Sequence, residues 1–234
     1  MSLTKLSSLS IFFPAYNEAA NIEMVIRDAL TYAPQVAQKF EIIIVDDGST
    51  DGTASVIRKH FGRNQKVRLI THPKNLGYGA AFKTGLKSCR YKWIFSTDSD
   101  RQFHFSELPA FVKLRDRADV IVGWRKKRRD PLIRIIIAHY LLRFWNLFLF
   151  RLWMKDVDCA YKLIPSKHVK NLTLTTESAI TVTEMMMRLK RQGLTFYEHP
   201  VKHYPRKYGL QTGNHPRVIL RAFRESLKLW LNQK

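Results

Sequence analysis

Apolar residues in the first half of the chain gather into short runs, separated by stretches where they recur every three or four positions. Ser10–Pro14, Phe40–Val45, Val67–Ile70, Trp93–Ser96 and Asp119–Gly123 are the runs, each of strand length. Ile22, Val25, Ile26, Ala29 and Leu30 follow the first run at helical spacing, with Arg27 and Asp28 on the opposite face. Ala54, Val56, Ile57 and Phe61 follow the second, and Asp51 is the expected N-cap of their helix. Asn75–Ala81 opens a third helix reaching about Cys89, with its glycines expected to serve close packing, and a short helix around Glu107–Leu114 leads to the fifth strand. The second run is rich in β-branched residues and apolar almost throughout, as in a strand covered on both faces. Strand–helix alternation of this kind predicts an α/β fold: a parallel sheet flanked by helices and joined by right-handed crossovers.

Beyond Arg125 the pattern changes. Residues 132–154 (LIRIIIAHYLLRFWNLFLFRLWM) are mostly apolar and aromatic, but Arg134, Arg143 and Arg151 interrupt them, so no uncharged run approaches the ~20 residues a bilayer span requires. His139, Arg143 and Asn146 share one helical stripe. One reading is one or two amphipathic helices lying in a membrane interface; the other is a helix buried in the core or at a dimer contact. A turn at Asp156–Ala160 precedes a short strand ending at Pro165, Thr181–Gly193 reads as a helix whose methionines belong to the core, and Thr195–Tyr204 alternates like a strand. A basic loop (Pro205–Gly213) leads to a last basic amphipathic helix, about Pro216–Leu231.

Composition sharpens this picture. At 234 residues and 45% hydrophobic, the chain can bury a large core and is not a disordered tail. Two distant cysteines, Cys89 and Cys159, suit a reducing compartment, and no signal-peptide core occupies the first ten residues. The net charge of +21 calls for an anionic partner: nucleic acid, an acidic membrane surface or a phosphorylated substrate. Six basic residues lie in Arg125–Arg134 alone, and from Lys202 onward only Glu225 opposes many more.

Candidate chemistry gathers at strand ends. Asp98 and Asp100 stand one residue apart beyond the Trp93 strand, where two hard carboxylates suit Mg²⁺ or Mn²⁺ with diphosphate and water completing the shell. Glu18, Asp46 and Asp47 stand beyond the first two strands, suited to a nucleotide's base and ribose hydroxyls. The first strand lacks Gly-x-Gly-x-x-Gly and the chain lacks Gly-x-x-x-x-Gly-Lys-Ser/Thr, which disfavours a usual dinucleotide fold and a P-loop ATPase. No nucleic-acid motif accompanies the basic charge, leaving a nucleic-acid-binding module a distant alternative.

Four segments taken in order, Phe13-Pro14-Ala15-Tyr16-Asn17-Glu18, Val45-Asp46-Asp47-Gly48-Ser49-Thr50-Asp51-Gly52-Thr53, Asn75-Leu76-Gly77-Tyr78-Gly79 and Asp98-Ser99-Asp100, resemble glycosyltransferase family 2. Gln102, Val122-Gly123-Trp124-Arg125 and Asp158-Cys159-Ala160-Tyr161-Lys162 further resemble the dolichol-phosphate mannose synthases and related polyprenyl-phosphate sugar transferases. The resemblance implies a GT-A fold in one catalytic domain, with residues 1–125 as the nucleotide-sugar half and 126–234 as the acceptor half carrying the amphipathic membrane-interface helices. It implies a metal-dependent, inverting transferase using a UDP- or GDP-linked sugar and a polyprenyl phosphate, peripheral at the cytoplasmic face of a membrane. A glycan or protein hydroxyl is the alternative acceptor.

Carried onto this chain, the resemblance assigns the nucleoside to Pro14, Tyr16, Glu18 and Asp46, with Ala15, Asp47, Gly79 and Ser99 in the same nucleotide-sugar site. Asp98 and Asp100 hold the metal and diphosphate beside Gln102, while Asp100, Arg125 and Lys162 are the catalytic group. Arg125, Lys162 and Arg206 face the acceptor phosphate, Arg206 and Lys207 standing in for the lysine of a Gly-x-Ser-Lys motif that here reads Gly209-Leu210-Gln211-Thr212. A lipid phosphate is already an anion and needs little help from a base; a hydroxyl acceptor requires one, for which Glu184 and Glu177 are the candidates.

Overall fold

The computed structural model describes residues 4–126, 142–209 and 216–232. In chain order the elements are β1 (Leu6–Ala15), α1 (Ala19–Val36), β2 (Ala37–Asp46), α2 (Thr53–Phe61), β3 (Val67–Thr71), α3 (Tyr78–Ser88), β4 (Trp93–Ser96), α4 (Leu108–Lys113), β5 (Val120–Arg125), α5 (Leu142–Phe150), β6 (Lys162–Pro165), α6 (Ile180–Arg191), β7 (Phe196–Val201) and α7 (Pro216–Leu231). Of the expected interface stretch, α5 is described; His139 and Arg134 lie outside the described residues, as do Leu210–Thr212 of the late loop.

Seven strands form one sheet in the order β3-β2-β1-β4-β6-β5-β7. Successive residues of a strand face opposite sides, and both sides are apolar. Ile11, Phe13, Ile42, Ile44 and Phe95 pack with α1 and Phe111 on one face. Phe12, Ile43, Val45 and Ile94 pack with Phe82 and Leu86 of α3 and with Met185, Met186 and Met187 of α6 on the other. Those methionines are core, as expected. Gly85 lets α3 lie directly on Phe12, whose ring a Cβ at that position would meet at 2.2 Å.

One strand departs from the expected parallel sheet. β6 runs antiparallel between β4 and β5, pairing Ser96 with Lys162 and Ile121 with Leu163. Since β1, β2, β3, β4, β5 and β7 all point one way, their carboxyl ends line a single edge. The reversal of β6 brings the segment that precedes it, residues 156–161, to that same edge, where the Ser96 hydroxyl donates to the carbonyl of Ala160 at 2.8 Å.

Capping differs from expectation too. Gly52, with φ +90°, occupies the N-cap of α2. The Asp51 carboxylate instead accepts from the amides of Thr53 (3.0 Å) and Ala19 (2.9 Å), tying the starts of α2 and α1 together. Both loops thereby close on one another at the carboxyl edge: Asn17, itself at φ +56°, accepts from the Thr50 amide at 2.9 Å, and its own amide donates to the Ser49 hydroxyl at 2.9 Å.

Candidate active site

The loop after β4 is pinned from its middle. Buried Ser99 donates its hydroxyl to the carbonyl of Pro14 at 2.7 Å, fastening the loop to the end of β1. Its neighbours Asp98 and Asp100 flank that anchor. Burial first and the charge of Asp100 second push the Asp98 carboxyl up to about 7, against the lowering pull of Arg125 and Lys162. Asp100 is raised for the same first reason, burial, opposed by the Gln102 amide that donates to its Oδ1 at 3.0 Å and by Arg206. Among the described residues no three His, Cys, Asp or Glu side chains are set to enclose a metal ion. The pair therefore offers a hard, electron-rich, incomplete donor set. That suits a Mg²⁺- or Mn²⁺-like cation which keeps positions for phosphate oxygens and water.

Fixed positive charge stands behind this pair. Arg125, at the end of β5, grips Asp156 with two parallel hydrogen bonds, Nε to Oδ2 at 2.6 Å and Nη2 to Oδ1 at 2.7 Å. Burial disfavours its charge, but the bond to Asp156 outweighs that and keeps the guanidinium ionised. Lys162 is 1% exposed, and its ammonium donates to the carbonyls of Val157 (3.0 Å) and Cys159, with its pKa lowered by burial. Neither side chain extends into open space as a phosphate hook would. Both act on Asp98 through the field, from fixed positions.

The remaining expected residues divide into two groups. Tyr16 lies half-buried beside Asn17, and buried Asp46 accepts from the Ser49 amide at 3.2 Å, so both sit at the joined loops after β1 and β2. Glu18 is buried there as well, its carboxyl raised by burial against hydrogen bonds from Asn21 (2.7 Å) and Arg206 (2.6 Å). The backbone of Ala15 accepts from the Asp47 amide at 2.8 Å. The second group is committed to the fold. Asp47 accepts from His72 (2.7 Å) and from the amides of Leu76 (3.0 Å) and Gly77 (2.8 Å), which shapes the entry to α3. Gly79 faces protein, not a cleft: a Cβ there would meet Thr181 Oγ1 at 2.2 Å and the backbone carbon of Glu177 at 2.4 Å. Gln102 holds the late loop, trading hydrogen bonds with the backbone of Tyr204 (2.9 and 3.1 Å).

Both base candidates have partners. The Glu184 carboxylate is fully buried and accepts from the amides and hydroxyls of Thr175 and Thr176 and from the Arg188 guanidinium. Glu177 pairs with Arg221 at 3.0 Å. Conversely, Tyr78 carries no assignment from sequence, yet burial and then the charges of Asp98, Asp158 and Asp100 raise its phenol. Asp156 is equally silent in sequence. Its one signal is its place next to the Asp158–Lys162 motif, and its partner Arg125 is 31 residues away.

A sheet of this order, with paired acids beyond β4 and a reversed β6, defines a GT-A glycosyltransferase fold. The glucosyl-3-phosphoglycerate synthase of Mycobacterium tuberculosis, solved with Mn²⁺ and UDP-glucose, superposes with a TM-score of 0.70 at 18% identity, covering 95% of this chain and 78% of that one. The mannosyltransferase PcManGT of Pyrobaculum calidifontis, solved with GDP-Man and Mn²⁺, gives 0.65 at 16% identity, covering 96% and 65%. The chain belongs to glycosyl transferase family 2, which it matches over residues 10–163. Among curated relatives, the dodecaprenyl-phosphate galacturonate synthase of Rhizobium johnstonii is 28% identical over 172 residues, 72% of this chain and 51% of the relative. A dolichyl-phosphate beta-glucosyltransferase of Trichomonas vaginalis is 27% identical over 205 residues, 75% and 60%. The chain thus spans about half the length of the curated relatives it matches.

Proposed function

We propose that this chain transfers a sugar, with inversion, from a UDP- or GDP-linked donor to a polyprenyl phosphate at a membrane surface. The observation that carries this reading is the Asp98–Asp100 pair at the carboxyl edge of β4, backed by the immobilised charges of Arg125 and Lys162. The relatives named above supply the acceptor class.

In this mechanism an oxygen of the acceptor phosphate attacks the anomeric carbon from the face opposite the diphosphate. The bond from that carbon to the diphosphate oxygen breaks, and a nucleoside diphosphate leaves. Asp98 and Asp100 would hold a divalent cation, Mg²⁺ or Mn²⁺, whose charge would offset the negative charge growing on the leaving group. Tyr16, Glu18 and Asp46 orient the nucleoside beside the joined loops. Arg125 and Lys162 cannot swing to follow the substrate, so their field is in place before reaction and costs no reorganisation. No proton need be removed from a phosphate anion, which accords with the Glu184 carboxylate being buried and fully hydrogen-bonded.

Membrane contact has support from α5 and α7. Phe144 and Phe148 on α5 and Ile219, Leu220 and Phe223 on α7 are exposed, and Trp145 stacks on Phe223 at 4.6 Å to join the two helices. Arg221, Arg224 and Lys228 stand on the same α7. Aromatic and cationic side chains together suit an anionic lipid interface. Among the described residues no helix is long and apolar enough to cross a membrane.

The test is transfer from labelled UDP- and GDP-sugars with Mg²⁺ or Mn²⁺, with and without polyprenyl phosphate. Label is expected in a phosphate-linked lipid, and Asp100→Asn should lose at least about a hundredfold in rate while keeping its circular dichroism. Label found only in a glycan or protein, or undiminished transfer by Asp100→Asn, refutes the reading.

A further inference from the structure

The late loop inserts a cation into the acidic cluster. After β7 the chain returns over the carboxyl edge, and Arg206 reaches back to residues far from it in sequence. Its Nη2 donates to Glu18 Oε1 at 2.6 Å and its Nη1 lies 3.5 Å from Asp100 Oδ2. The side chain is only 13% exposed. This seat is built. Arg206 Nε donates to the carbonyl of Tyr208 at 2.8 Å, folding the guanidinium under its own loop. Gly209, at φ +78°, makes room for it: a Cβ there would stand 2.7 Å from Arg206 Nη2. Tyr204 closes on Gln102 through two hydrogen bonds, its amide donating to the Gln102 carbonyl and its carbonyl accepting from the Gln102 side-chain amide, and its ring lies 4.4 Å from that of His104. Asn21 reaches the Tyr208 carbonyl at 3.4 Å while also donating to Glu18.

Electrostatically the guanidinium does part of what a metal ion would do there. Burial raises both Glu18 and Asp100, and Arg206 opposes the rise at each. Two cations brought to the same carboxylate repel one another, so Asp100 cannot serve Arg206 and a divalent ion together at full strength. We infer that Arg206 is a resident counter-cation of the metal site, released from Asp100 and Glu18 when a divalent ion loads. The inference rests on the proposed function for the identity of Asp100 as a metal ligand. It adds that the chain itself competes with the metal, which keeps the acids paired until a donor diphosphate arrives to hold the ion. A released guanidinium on a loop over the same edge is then free to contact the diphosphate.

The experiment is Mn²⁺ binding to the full chain without nucleotide at pH 8, read from the electron paramagnetic resonance of free Mn²⁺. Arg206→Met is expected to bind Mn²⁺ about tenfold more tightly than the unsubstituted chain, the scale of one charge-assisted hydrogen bond. Gly209→Ala, which pushes the guanidinium off its seat and keeps its charge, is expected to move affinity the same way by a smaller factor. It also serves as the check should Arg206→Met fold poorly. Affinity unchanged or weakened in both variants overturns the inference. If, at the same time, the unsubstituted chain binds Mn²⁺ with UDP or GDP present, the metal site stands and only the role of Arg206 falls. If no form binds Mn²⁺ even with nucleotide, both readings fall together.

Discussion

Replacing Asp98 by Asn should change how stability depends on pH, and in a definite direction. In the folded, metal-free chain burial lifts this carboxyl from 3.8 to about 7, with Asp100 pushing the same way. A carboxyl raised on folding adds nothing unfavourable below pH 4, where it is protonated folded or unfolded. Between about pH 4 and 7 the unfolded chain has lost the proton and the folded chain still holds it. Stability therefore falls as pH climbs through that window, and the whole penalty is present above it. A rise of that size corresponds to a ceiling of about 4 kcal/mol. Water reaches a half-buried side chain, so about 2 kcal/mol is the expected size. Asp98→Asn removes the titration and leaves Asp100 without a like charge beside it. Urea unfolding in EDTA at pH 5 and pH 8 measures the effect: part of the penalty is already present at pH 5, so the variant should gain about 1 kcal/mol on the parent between the two pH values. The metal provides the converse. Loading Mn²⁺ at pH 6 should expel protons, up to one per ion, read by calorimetry in buffers of different ionisation enthalpy. Parallel stability curves for parent and variant would refute the argument, since they would mean that Asp98 ionises in the folded chain as it does in the unfolded one.

Three other outcomes follow from the packing. Glu184→Gln should lose about 2 kcal/mol in urea unfolding, because the Arg188 guanidinium and the Thr175 and Thr176 amides lose a charged acceptor, yet turnover per folded molecule should not change. Gly79→Ala should cost about 1–3 kcal/mol, as its methyl would overlap the backbone of Glu177, and a melting-temperature scan would register it. Changing Phe148 (79% exposed) and Ile219 (56% exposed) to Ser should each weaken sedimentation with anionic vesicles by about tenfold or more and leave the melting temperature in place.

Much of this architecture can be read along the chain because the strands are buried on both faces. Phe40–Val45 is apolar apart from Glu41 for that reason, and α1 shows its buried stripe of Ile22, Val25, Ile26 and Ala29 plainly. The direction of β6 cannot be read this way: four residues, Lys162–Pro165, look alike pointed up or down, and only their pairing with β4 decides. The candidate site divides along the same line. Asp98 and Asp100 are one residue apart on one loop, and the charge of Asp100 is felt at Asp98. Asp47 and Asp98 look equally acidic in sequence, but Asp47 is consumed by His72, Leu76 and Gly77, residues that only the fold delivers. Arg125 and Lys162 read as free cations until Asp156 and two backbone carbonyls are seen to hold them. Arg206 is legible as a basic residue in a basic loop; its grip on Glu18, 188 positions away, is not.

The reversed strand also governs what can be cut. β5, from the first half of the chain, reaches β4 only across β6, from the second, and its far flank is covered by β7, again from the second. A fragment ending at residue 126 would leave β4 with a raw border and β5 with no neighbour on either flank. Residues 1–125 and 126–234 are thus interleaved at the backbone, and neither piece is expected to stand alone in solution. Co-expressed pieces severed between residues 126 and 142 could regain the sheet only by β6 of one sliding between two strands of the other.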